Sequence, residues 1–152
     1  MRRQLMLMAV CFAVLQSSFA QVNQSLHTHS PDELLAKIER TKEQDRAHLY
    51  SELAHALVET ANMQYSDNRF ELAEASVRKV LDYAQRSTAL VLANEKNIKK
   101  VEIELRETAR RLQEIKRPLG VDDQVLLKET AEKIEKLRLN IFDKMFGEKK
   151  KK

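Results

Sequence analysis

The stretch YSDNRFELA, residues 65 to 73, has the composition of a tight turn between two antiparallel helices. Asn68 tolerates the left-handed conformation that a helix terminus needs, and Phe70 and Ala73 begin a new apolar spacing beyond it. Upstream, Leu49, Leu53, Leu57 and Ala61, with Tyr50, Ala54 and Tyr65 beside them, form the apolar face of a helix. A helical hairpin therefore stands at the centre of the chain, and an all-α fold is expected around it.

Pro31, Pro118, Gly120 and Gly147 are the only prolines and glycines, so they punctuate the helices. Ser30-Pro31-Asp32-Glu33 combines an N-cap serine, a proline at the first helical position and a glutamate three residues on, which is a capping box. Leu34, Leu35 and Ile38 give that helix a short apolar face, and the polar run Glu39 to Arg46 reads either as a turn or as a solvated helical link. From Phe70 to Arg117 nothing breaks a helix, and 30 of the 48 residues are Ala, Glu, Lys, Leu or Arg, as in long helices.

A seven-residue repeat runs through this segment. One column is Phe70, Val77, Ala84, Val91, Ile98, Leu105 and Leu112; the other is Ala73, Val80, Ser87, Asn94, Val101, Thr108 and Ile115. Such columns are the seam of a coiled coil. They predict one continuous central helix over about 70–117, roughly 70 Å long at 1.5 Å per residue, which needs partners along its length. Arg117-Pro118-Leu119-Gly120 breaks it, Asp122 or Asp123 is placed to cap the next helix, and Leu126, Leu127, Thr130, Ala131, Ile134, Leu137, Ile141 and Met145 form another stripe. The helices on either side are expected to fold back on the two halves of this spine, giving an elongated antiparallel bundle. Its second column turns polar at Ser87 and Asn94, a substitution that commonly fixes register and partner number.

Around the opening turn, Ala61, Asn68, Phe70, Ala73, Val77, Val80 and Leu81 resemble one tetratricopeptide unit over about 28 residues. The chain departs from that family at Leu57, where it favours Trp, at Gln64, where it favours Tyr, and at Gln85, where a closing Pro is usual. A period of about 34 residues would place an aromatic and a small residue where Glu104 and Glu107 stand. The resemblance thus implies a single tetratricopeptide-like hairpin and no array.

Residues 1–20 read as a signal peptide: Arg2 and Arg3, then the apolar run LMLMAVCFAVL, then small residues Ser18 and Ala20. The run is about half the roughly 20 residues that a membrane-spanning helix needs. The mature chain is expected to begin at Gln21, with a disordered leader over 21–30, a helical domain over 31–146 and a lysine-rich tail over 147–152. Cys11 is the only cysteine and lies in the apolar run, so the mature chain has no thiol for a disulfide or a thiolate metal site.

The chain carries 27 Lys and Arg against 23 Asp and Glu. Arg2, Arg3 and Lys149 to Lys152 account for that excess, so the helical body is slightly acidic and gives no footprint for nucleic acid. His27 and His29 are a conceivable two-histidine clip without a third ligand, and His48 and His55, seven residues apart, are about 10 Å apart on a helix, too far to share an ion. They read as helix-surface residues. Glu102, Glu104, Glu107, Glu132 and Glu135 alternate with Lys and Arg as on a solvated helix face. Lys96 to Lys100 and Arg110-Arg111 make local basic patches of the same solvated kind.

These features describe a non-catalytic, exported helical scaffold or protein–protein interaction module, periplasmic or extracellular, with no cofactor or metal and with homo-oligomerisation open. It resembles the small helical proteins that bacteria export, a resemblance that implies no active site. Candidate partner-binding residues are Phe142, Phe146, Lys149, Lys150, Lys151 and Lys152, an apolar helix end followed by cations. The alternative is a peripheral envelope protein whose basic tail touches an anionic membrane surface.

Overall fold

The structure, a computed structural model, describes residues 29–116 and 119–147. The expected signal peptide, most of the expected leader and the four tail lysines lie outside the described residues. Those described form five α-helices and one short 3-10 turn, with no strand among them: α1 (Pro31–Arg40), the turn Glu43–Asp45, α2 (Ala47–Ser66), α3 (Phe70–Asn94), α4 (Ile98–Lys116) and α5 (Val121–Gly147).

The start of α1 follows its sequence. Ser30 Oγ accepts from Glu33 N at 3.3 Å and Glu33 Oε2 accepts from Ser30 N at 3.1 Å, with Pro31 in the first turn. Leu34 and Ile38 are buried against α2. The polar run after it bends: α1 stops at Arg40, and Arg46 Nε donates to Thr41 O at 2.7 Å across the bend.

α2 and α3 make the central hairpin. Asn68 takes φ 58° in the link, and Arg69 N donates to Gln64 O at 2.8 Å to close it. Ser76 reaches Gln64 Oε1 at 2.8 Å near the turn, and Ser87 Oγ donates to Ala47 O at 2.6 Å at the far end, which fixes an antiparallel register. Alanines 47, 54, 56 and 61 leave α2 thin enough to be enclosed by α1, α3 and α4.

The expected continuous helix over 70–117 is not formed. α3 ends at Asn94 and α4 begins at Ile98, with Glu95 and Asn97 both left-handed at φ 58° and 59°. Asn94 Oδ1 accepts from Lys96 N at 2.9 Å, while its Nδ2 donates to Gln44 O at 2.8 Å; Lys96 Nζ meets Asp45 at 3.0 Å. Two left-handed residues cost about 1–2 kcal/mol each. Folding back buries Val101, Leu105, Thr108, Leu112 and Ile115 of α4, and the apolar ones contribute about 1.5–3 kcal/mol each. Burial outweighs helix continuity.

α4 and α5 form a second hairpin, with Glu102 opposite Arg138 and Glu95 opposite Lys144. Asp122 and Asp123 lie inside the first turn of α5, where acids favour the helix dipole, and do not cap it. The two hairpins stack. α4 runs parallel to α2, joined by Lys100–Glu52, Thr108–His55 and Arg111–Glu59, while α5 packs on α3. Leu49, Leu53, Val77, Val80, Leu105, Leu112, Leu127 and Ile134 fill the shared core. Of the seam positions, Phe70 is exposed and Asn94 and Ile98 are half-buried; the others are buried.

Tyr65 closes the α2–α3 end of the core. Its ring lies 6.2 Å from that of Phe70, and its hydroxyl is buried with no hydrogen-bond partner among the described residues. Burial, and then the negative charges of Asp123 and Glu74, push its pKa up from 10.0 to about 12. The unfolded chain therefore ionises first as pH rises above 10, so this residue's contribution to stability is intact below pH 10 and lost towards pH 12. Tyr65→Phe is expected to be neutral, or stabilising by up to about 1 kcal/mol, at pH 7 because an unpaired buried hydroxyl is removed. It should also flatten the alkaline decline; urea unfolding at both pH values reads the two effects.

Candidate interaction surface

α5 turns its apolar stripe of Leu127, Thr130, Ile134 and Ile141 inward, so residues off that stripe point to solvent. Phe142 and Phe146 are exposed on its last turns, with ring centroids 4.6 Å apart and planes tilted by 45°, and Leu139 is exposed one turn earlier. The structure thus brings the two candidate phenylalanines together. Lys149 to Lys152 lie outside the described residues. Lys144, between the rings in sequence, reaches Glu95 at 3.2 Å.

The second hairpin carries a further feature that sequence reasoning missed. Between α4 and α5, on the outer side, an open groove of about 530 Å³ has Ala109 and Ala131 at its floor, Arg106, Arg110 and Gln113 on one wall and Glu132, Glu135 and Lys136 on the other. Ile103 and Leu139, both exposed, continue it. Their signal was a strongly apolar residue one step off a buried column.

Several charges read as solvated are structural ties. Glu102 is buried and its Oε1 accepts from Arg138 at 2.8 Å, while Arg138 also grips Glu135. Those hydrogen bonds, donated to Glu135 first and then to Glu102, push the Arg138 guanidinium pKa up from its ordinary value. Arg111 makes a two-pronged pair with Glu59 at 2.6 and 2.9 Å, joining the hairpins. Lys96 and Lys100 clip the start of α4 to Asp45 and Glu52.

The histidines also depart from the surface reading. His55 is buried, its Nδ1 3.4 Å from Thr108 Oγ1, and His48 is half-buried with Nδ1 3.4 Å from Asn97 Nδ2. Both face α4. Desolvation, and then the positive charge of Lys100, lower the His48 pKa below 6.5. His27 lies outside the described residues, and His29 stands 3.5 Å from Glu33. Among the described residues no group of three or more His, Cys, Asp or Glu side chains is arranged to hold a metal ion, and no helix is long and apolar enough to cross a membrane. Comparison with known protein families, with curated proteins and with solved structures finds no match to this chain.

Proposed function

We propose that this chain is a non-catalytic, exported helical scaffold that binds a protein partner at the apolar end of α5. The observation that carries the reading is the exposed Phe142–Phe146 pair on a rigid helix. Aromatic anchors of this kind supply much of the binding energy in interfaces, and two tilted rings in contact on one helix lose little freedom when covered. The buried carboxylate Glu102 and the half-buried Glu59 are engaged in ties between helices, which is a structural use. Export rests on the basic, apolar and small-residue order of the first twenty residues. A lone tetratricopeptide-like hairpin lacks the stacked neighbours that build that family's concave groove, so the partner meets helix faces.

The test is partner capture from the cell envelope by the mature chain, and by a variant lacking residues 147–152 and carrying Phe146→Ala. Capture should weaken while helix content and melting stay nearly unchanged; undiminished capture, or a loss accompanied by unfolding, removes the site from this end. A second reading is favoured by the placement of Phe146 in the last turn before the lysines: the same end docks on an anionic membrane. Salt-sensitive sedimentation with phosphatidylserine vesicles supports it, and absence of binding at low salt rejects it.

A further inference from the structure

We propose that the link Glu95 to Asn97 is a hinge at which two copies of this chain exchange their α4–α5 hairpins, giving a dimer in which α3 and α4 run on as one helix. In a single copy, helix continuity and the burial of α4 exclude each other, because α4 must turn back to reach α2. Two copies can have both. The inference does not depend on the partner site at Phe146.

The link itself carries three signs of a hinge. It is strained where it turns, since Glu95 at the C-terminal cap of α3 and Asn97 are both left-handed, and of the two only Asn adopts this backbone readily. It is also able to be helical, because Glu, Lys and Asn stand at 95–97 and no glycine or proline is there to stop a helix. Finally, it keeps phase: Val91 and Ile98, like Asn94 and Val101, are seven residues apart across it, so a straightened helix carries the seam columns of α3 and α4 on one face. Short hinge links under strain are where such exchange occurs.

The contacts between the hairpins permit the exchange. Docking rests on α2 with α4 and on α3 with α5, through ties such as Lys100–Glu52, Thr108–His55 and Arg111–Glu59, while α3 and α4 touch each other little. Each tie can be made again with the second copy. The directions agree as well, because α2 runs parallel to α4 and both begin beside the link, at His48–Asn97 and Lys100–Glu52. A two-fold axis across the helices at the link therefore lays each α4 on the other copy's α2 in the same direction and register. What is given up is local and exposed: Asn94–Gln44, Lys96–Asp45 and His48–Asn97. Lys144 meets Glu95, so the exchange also puts both Phe142–Phe146 ends at the level of the axis.

The test is to unfold the chain from Gln21, which has no cysteine, refold it at low and at high concentration, and measure mass by light scattering. The native chain should give monomer at low concentration and a growing dimer fraction at high concentration. Glu95→Gly relieves the closed link and weakens the straight helix once in each copy, so it should raise the dissociation constant about tenfold or more. Asn97→Ala does the reverse and should lower it by about the same factor. Exchange itself is read by cross-linking. A chain carrying Glu59→Cys and a chain carrying Arg111→Cys, refolded together and treated with a short bismaleimide, should form a covalent pair, because exchange sets residue 59 of one copy beside residue 111 of the other. The second interface of that pair keeps its native Arg111–Glu59 tie, and neither chain alone should be cross-linked. A native chain that stays monomeric at high concentration, a dimer that yields no covalent pair, a pair formed as readily by either chain alone, or a dimer fraction unmoved by Glu95→Gly each overturn the proposal. Glu95→Gly, which spares the closed fold, decides the matter if Asn97→Ala loses helix content.

Discussion

Arg138→Met is expected to lower stability by about 3–5 kcal/mol, because it strands the Glu102 carboxylate without its partner. The Arg138 and Glu102 side chains are only 16% and 10% exposed and lie 2.8 Å apart, so solvent screens the pair little. The same substitution releases Glu135, which is 43% exposed and loses little by being left to water. The double variant Glu102→Leu/Arg138→Met should recover most of the loss or exceed the native protein, since apolar packing commonly replaces a buried ion pair without penalty. Urea unfolding of the three proteins makes the comparison. A single-variant loss below about 1 kcal/mol would mean that the pair behaves as a surface pair.

Leu105→Ala should cost about 2–5 kcal/mol, from lost transfer energy and the cavity left behind. Leu105 is fully buried in the core that both hairpins share, and rigid helices on either side limit collapse into the gap. Lys99→Ala, on the exposed side of the same helix, should change stability by less than about 0.5 kcal/mol. Thermal unfolding distinguishes the two, and a loss under about 1 kcal/mol at Leu105 would mean that the hairpins are not docked in solution.

Much of the helical framework was legible because its signals are local. Ser30 to Glu33 encode a cap, Asn68 a turn and Gly120 the break before α5, and each depends on neighbours a few residues away. The buried columns were legible for the same reason. The division of the expected spine was not, because the link Glu95 to Asn97 spaces Val91 and Ile98 by seven residues and leaves the repeat without a slip. The signal lies in Asn94, whose amide bonds locally to Lys96 N although its column position also suits a polar seam, and in Asn97, which accepts left-handed backbone. The buried His55 and the Glu102–Arg138 tie depend on which helices become neighbours, and no periodicity carries that. At the candidate surface, Phe142 and Phe146 stood out as paired aromatics. Ile103 and Leu139 did not, because an isolated exposed apolar residue is ordinary until the groove beside it is known.

The stacking of one hairpin on the other also has a kinetic meaning. Within each hairpin, contacts can zip from the turn outward, beginning at Ser76–Gln64 with a sequence separation of 12. Between α2 and α4 no such start exists: Thr108–His55 and Arg111–Glu59 close loops of 53 and 52 residues. Local contacts form before distant ones because loop closure must be met first. The α2–α4 interface should therefore be largely unformed in the folding transition state, so that loosening it speeds unfolding and leaves the folding rate nearly unchanged. Stopped-flow measurements on an Arg111→Met variant would show that partition, and an equal slowing of folding would place hairpin docking in the nucleus instead.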